Sequence, residues 1–211
     1  MIIKTFVFNP FQENTYVLHD EAGEAVVIDA GCVLPYECEE LQEYIESNKL
    51  NLRRVLNTHL HIDHIFGNRF LSDTYGLQPE AHKDDEFLIG RFAKHMELFG
   101  LRPRGEAQPI GTYIADKQVI TFGNISLTAL HVPGHSPGSV AFYCEKFGCA
   151  FVGDVLFRGS IGRTDLELGD YGTLIRSIQD KLLVLPDSTV VYSGHGPETT
   201  IGYEKNQNPF L

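Results

Sequence analysis

The chain has 211 residues, enough for one large domain or two small ones, and its 43% hydrophobic and 21% charged residues exclude a disordered or low-complexity polymer. Its 17 Lys and Arg against 28 Asp and Glu leave a net charge of −11, which argues against a nucleic-acid surface or a polybasic membrane patch, because both need clustered cations. No apolar run approaches the roughly 20 residues of a transmembrane helix, and no basic stretch followed by an apolar one opens the chain, so a cytoplasmic location is expected.

In chain order, Ile2–Phe8 and residues 15–18 and 25–28 are β-rich runs separated by Asn9-Pro10 and Glu21-Ala22-Gly23 turn signals. Leu34, Cys38, Leu41, Tyr44 and Ile45 recur at three-to-four spacing and predict a helix. Residues 54–56 form a short strand that runs into His59-Leu60-His61-Ile62-Asp63-His64. A helix ending near Gly76 follows, then one continuous helix over 84–99. Residues 101–112, rich in Pro, Gly and Arg, read as a mobile flap. Val119–Phe122 and residues 125–132, 139–144 and 150–153 are β-rich. A loop over 157–172, a helix carrying Leu174, Ile178 and Leu182 and a strand at 189–192 complete the pattern. Several strands then a helix, twice over, suggest two sheets with helices outside. Neither Cys32/Cys38 nor Cys144/Cys149 is a CxxC pair, so four free thiols are expected.

The chemistry concentrates at His59-x-His61-x-Asp63-His64. Residues two apart on an extended segment project to the same side, so His59 and His61 can share one ligand sphere. Asp63 and His64 are adjacent at the start of a helix, diverge, and can serve a second ion. Imidazoles with carboxylates suit Zn²⁺, Fe or Mn²⁺ rather than Ca²⁺, which prefers oxygen shells. Further on, three β-runs each stop at a glycine followed by a coordinating residue: Gly134-His135, Gly153-Asp154 and Gly194-His195. The seven candidates, His59, His61, Asp63, His64, His135, Asp154 and His195, are the number two metals need if one carboxylate bridges. His19, His82, His95 and His131 are expected to be ordinary, without partners at ligand spacing. Phe66 and Phe157 follow ligand loops and are candidates to line a pocket, and Arg102 and Arg104 read as exposed loop charges.

These motifs, together with Pro133-Gly134-His135-Ser136-Pro137-Gly138-Ser139, Gly162-Arg163-Thr164-Asp165 and Gly194-His195-Gly196-Pro197, resemble the metallo-β-lactamase superfamily, and within it the short bacterial glyoxalase II (hydroxyacylglutathione hydrolase) branch. The resemblance implies an α/β fold, an αββα four-layer sandwich of two mixed sheets with helices on the outer faces. It implies one such domain over residues 1–211, without the C-terminal helical domain of full-length glyoxalase II. It also implies two divalent metal ions, zinc foremost with iron or manganese as alternatives. His59, His61 and His135 would hold one metal and Asp63, His64 and His195 the other, with Asp154 bridging. Asp29 would fix a ligand histidine from behind, and Arg163 would sit near the glycyl carboxylate of glutathione.

The implied activity is hydrolysis of a small anionic thioester by a metal-bound bridging hydroxide, with Asp63 as both ligand and orienting acceptor. Neither nucleic acid nor membrane is expected as a partner. The alternative implied by Gly162-Arg163-Thr164-Asp165 is a mononuclear iron persulfide dioxygenase.

Overall fold

Alternation along the strands decides the layers. In a computed structural model, which describes residues 1–101 and 106–211, Tyr16 and Leu18 point one way from their strand and Val17 the other, and Val26 and Ile28 oppose Val27 likewise. Period-two burial on both faces requires cover on both faces. The first sheet is ordered β1 (Ile2–Phe8), β2 (Glu13–His19), β3 (Glu24–Ile28), β4 (Asn51–Leu56), β5 (Pro79–Ala81) and β6 (Thr112–Tyr113). The first three strands are antiparallel and the rest parallel.

The second sheet runs in order from β14 (Thr199–Thr200) through β13 (Val190–Ser193), β10 (Cys149–Gly153), β9 (Val140–Cys144) and β8 (Ile125–His131) to β7 (Val119–Phe122). It too is mixed, β10 being parallel to β13. A small hairpin of β11 (Leu156–Phe157) and β12 (Ser160–Ile161) stands apart.

The two sheets face each other through one core in which Tyr16, Ile28 and Leu56 meet Phe122, Phe142 and Phe151. On the outer face of the first sheet, Val17, Val27 and Val55 pack against α1 (Pro35–Ser47) and α3 (Asn68–Tyr75) through Leu41, Ile45 and Leu71. On the outer face of the second, Ala150, Val152 and Val191 pack against Leu174 of α6 (Tyr171–Ser177), Ile178 and Leu182 of the wider turn that prolongs it, and Ile201 of α7 (Ile201–Gln207). The layers are α, β, β, α, as expected. No helix among the described residues is long and apolar enough to cross a membrane.

Several local expectations are corrected. The helix expected over 84–99 is a short 3₁₀ turn followed by α4 (Glu86–Ile89) and α5 (Phe92–Leu98), interrupted at Gly90, a poor helix former. The helix ending at Gly76 is likewise two, α2 (Ile62–Ile65) and α3, with Gly76 at φ 71° closing the second in the left-handed conformation. Strands β5, β6 and β14 are too short to show a period, and α7 was not expected. Of the proposed flap, residues 102–105, with Arg102 and Arg104, lie outside the described residues. Beyond them Gly111 N–H donates to Pro79 O at 2.9 Å, tying the segment into the sheet. All four cysteines are buried, and Cys144 and Cys149 face each other across β9 and β10.

Candidate metal centre

The seven candidate ligands come together where strands of both sheets end. His59 and His61 lie on the loop leaving β4, and Asp63 and His64 on α2. His135 follows β8, Asp154 follows β10 and His195 follows β13. Ligand atoms of His59, His61 and His135 lie within 4.8 Å of one another, and so do those of Asp63, His64 and His195.

Asp154 stands between the groups. Its Oδ2 is 3.7 Å from His135 Nε2 and 3.5 Å from His195 Nε2, and its Oδ1 is 3.4 Å from His64 Nε2. Asp63 Oδ2 completes the second group at 3.2 Å from His195 Nε2 and 3.7 Å from His64 Nε2. Glycine is needed at position 194, where a Cβ would collide with Asp154 Oδ1 and His64 Cε1.

Four of the five imidazoles are held from behind. His135 Nδ1 donates to Arg163 O at 2.8 Å and His195 Nδ1 to Phe11 O at 3.0 Å, so in both rings Nε2 carries the lone pair. His64 Nδ1 meets Asp29 Oδ2 at 3.0 Å. Thr58 Oγ1 donates its one proton to Asp29 Oδ2 at 2.6 Å, which leaves it to accept from His59 Nδ1 at 3.1 Å. Asp29 therefore orients one ligand of each group, a wider role than fixing a single histidine; it does so at φ 51°, a conformation Asp tolerates better than most residues.

Burial and neighbouring charge set the protonation. Desolvation and the surrounding imidazoles drive the His59 pKa well below its ordinary value, and desolvation with His135 takes His61 down to about 3. Desolvation acts on His64 as well, but the carboxylates of Asp63, Asp154 and Asp29 outweigh it and raise that pKa well above the ordinary imidazole range. For Asp154 the cost of burial is likewise overcome, here by His64, and its carboxyl is held ionised.

The test of fit to metal ions is the set of orphaned atoms. His59 Nε2, His64 Nε2 and Asp154 Oδ1 are buried without a hydrogen-bond partner, a costly condition unless a cation takes their lone pairs. Three imidazoles on one side, a carboxylate and two imidazoles on the other and a carboxylate between them form a donor set for two transition-type divalent ions. The residues fit a binuclear centre.

A model of the metallo-β-lactamase superfamily matches residues 8–195. The chain belongs to the metallo-β-lactamase superfamily. Hydroxyacylglutathione hydrolase GloC from Haemophilus influenzae is 38% identical over 212 residues, spanning 100% of this chain and 98% of that protein. Among solved structures, the BLEG-1 B3 metallo-β-lactamase superposes with a TM-score of 0.88 at 38% identity, covering 100% of this chain and 99% of that one. TTHA1623 in a di-iron-bound form superposes with a TM-score of 0.86 at 36% identity, each chain covered in full at 100%.

Several residues that hold this superfamily site together carried no sequence signal. Asn9 Nδ2 donates to Asp63 O at 3.1 Å, and Asn14 Nδ2 to Ser193 O and Gly196 O at 3.0 and 2.9 Å, so the β1–β2 turn braces the second ligand group. Glu13 is wholly buried behind His64, its Oε1 4.0 Å from Nδ1, and burial raises its pKa well above the carboxylate range. Asp85 joins the two ligand loops by accepting from Leu60 N at 3.1 Å, Ser136 Oγ at 2.7 Å and Gly138 N at 2.5 Å.

Over the centre opens a cleft of about 370 Å³, lined by His61, Asp63, His135, Asp154 and His195 and walled by Phe11 and Phe99 among others. Of the two aromatics expected there, Phe66 packs beside Phe11 at 6.3 Å without lining the cleft, and Phe157 stands 6.3 Å from the His195 ring. Arg163 lines the mouth. His95, expected to be ordinary, lines the cleft too. His82 and His131 do have partners: their rings stack at 4.0 Å and 8°, with Asp84 3.7 Å from His82. Lone pairs in nearly parallel planes do not converge, so the stack is no second metal centre.

Proposed function

We propose that this metal-dependent hydrolase cleaves acyl thioesters of the hydroxyacylglutathione type. The observation that carries the reading is Asp154, whose carboxylate lies within 3.7 Å of imidazole nitrogens from both ligand groups, directly under an open cleft. Two cations bound there would supply a water of pKa near 7 and a Lewis acid for the thioester carbonyl. The donor set suits zinc, and the similarity to a di-iron-bound structure keeps iron beside it.

The chain's own residues do the rest. Asp63 faces the cleft with a carboxylate oxygen placed to accept a proton from a nucleophilic water and orient it. Arg163 O, Phe11 O, Asp29 and Thr58 keep the four imidazoles His135, His195, His64 and His59 from turning, so the ligand atoms need no rearrangement during reaction. Beyond the ligands, no carboxylic acid with a raised pKa lines the cleft among the described residues. A thiolate leaving group, with a conjugate acid near pKa 8.5, departs without one. The 38% identity to GloC over the full chain supports the same reading. Cysteines without CxxC spacing fit a reducing compartment, and a cytoplasmic location goes with it.

The test is metal quantification on the purified protein beside a panel of S-lactoylglutathione, glutathione persulfide with oxygen, and a chromogenic β-lactam. Two metals per chain with thioester cleavage are expected. One iron with oxygen uptake on the persulfide, or β-lactam cleavage without thioester cleavage, overturns the proposal.

A further inference from the structure

We infer that the cleft receives an apolar arm of its thioester, a short alkyl or aryl chain, and that this arm rather than an anionic peptide sets substrate preference; the inference rests on the thioesterase reading above. Apart from the metal ligands, the walls are chiefly Phe11, Ile62, Leu88, Leu98, Phe99 and Leu166. The Phe11 and Phe99 rings meet edge to face at 4.9 Å and form one continuous wall.

Leu98 and Phe99 are 75% and 52% exposed at the end of α5, so water covers apolar surface at the mouth that a bound chain would bury. The volume, about 370 Å³, lies at the small end of ligand sites and suits a short chain.

Charge points the same way. Among the described residues, Arg163 and Glu167 are the charged ones that line the cleft beyond the metal ligands, and each is paired. The Arg163 guanidinium donates to both carboxylate oxygens of Asp165 at 2.7 Å, and Glu167 accepts from Arg91 at 3.0 and 3.3 Å. A substrate carboxylate would meet at Arg163 a cation whose charge Asp165 already offsets. An apolar chain displaces only water. Among the described lining residues His95 is the remaining polar group outside the metal centre.

Two series of thioesters on the metal-loaded full chain test this. One lengthens the acyl group from acetyl to hexanoyl on the neutral thiol N-acetylcysteamine; the other keeps acetyl and lengthens an alkyl thiol, so the two show which side of the sulfur lies in the cleft. Each added methylene should raise kcat/KM about fourfold in one series until the cleft is full. Phe99→Ser and Leu98→Ser, at exposed positions, should flatten that slope. The non-hydrolysable thioether S-hexyl-N-acetylcysteamine should bind with a negative heat-capacity change, and more weakly in Phe99→Ser.

Flat series overturn the inference and leave thioester hydrolysis standing. So does a preference for S-lactoylglutathione over every neutral thioester, lost about tenfold in Arg163→Ala. Thioether binding of the expected slope without cleavage of any thioester would instead remove the thioesterase reading and keep the apolar cleft.

Discussion

The group of His59, His61 and His135 contains no carboxylate, whereas Asp63, His64 and His195 include one and have Asp29 and Glu13 behind them. Both groups are buried at the ends of strands, and both suffer the same desolvation. On the first side the neighbouring imidazoles reinforce it, Asp63 and Asp154 oppose it at His61 without prevailing, and the pKa values of His59 and His61 fall. On the second side the carboxylates reverse it, and the pKa values of His64 and His195 rise. In the first half His59 and His61 are therefore held neutral, and in the second the imidazoles are matched by carboxylates. Imidazoles alike in kind differ in protonation through the carboxylates beside and behind them.

Asp154 is the one ligand the halves share, so its loss should be the largest effect. Asp154→Ala should empty both sides by elemental analysis and lower thioester turnover by about a thousandfold. Two metals retained in that variant would break the picture of a shared wall. His195→Ala should be more selective, leaving one metal per chain on the imidazole side and separating the two halves in a chelator titration.

Asp29→Ala reaches both halves through His64 and through Thr58 to His59, and should weaken metal affinity about tenfold to a hundredfold at both. Weakening of the second half alone would show that the Thr58 link transmits nothing. Asp85→Ala, which unties the two loops without touching a ligand, should cost about 2 kcal/mol in urea unfolding, because three donors lose a buried acceptor.

Asp116, remote from both halves, gives the smallest effect and a control on acid sensitivity. Lys181 and the His131 N–H overcome its desolvation and lower its pKa below the ordinary value. A depressed folded pKa contributes stability above the unfolded value near 3.9, lost as pH falls through the folded one. With the Asp116 side chain 36% exposed the contribution is about 0.5 kcal/mol. Asp116→Asn should flatten the acid limb of stability between pH 6 and pH 3 by that much, as read by urea unfolding.

The sandwich was legible because alternation is local: Tyr16, Val17 and Leu18 declare their faces within three residues. The ligands were legible for the same reason, since His59 and His61 sit one strand period apart and each later ligand follows a glycine at or shortly after the end of a strand. The break of the 84–99 helix at Gly90 was missed because the apolar spacing continues through it. Glu13 and Asp85 were missed because a buried carboxylate looks, in one dimension, like any surface acid.

By itself, then, the chain's order of residues determined the layers and the identities of the seven candidate ligands, because periods of two and of three to four residues operate over neighbours. Tertiary structure alone decided which backbone oxygens orient the rings and which apolar side chains wall the cleft. His195 takes its orientation from Phe11 O, 184 residues away, and no short-range pattern encodes a hydrogen bond of that span. Such contacts exist only once both sheets have closed and buried polar groups must find partners within reach.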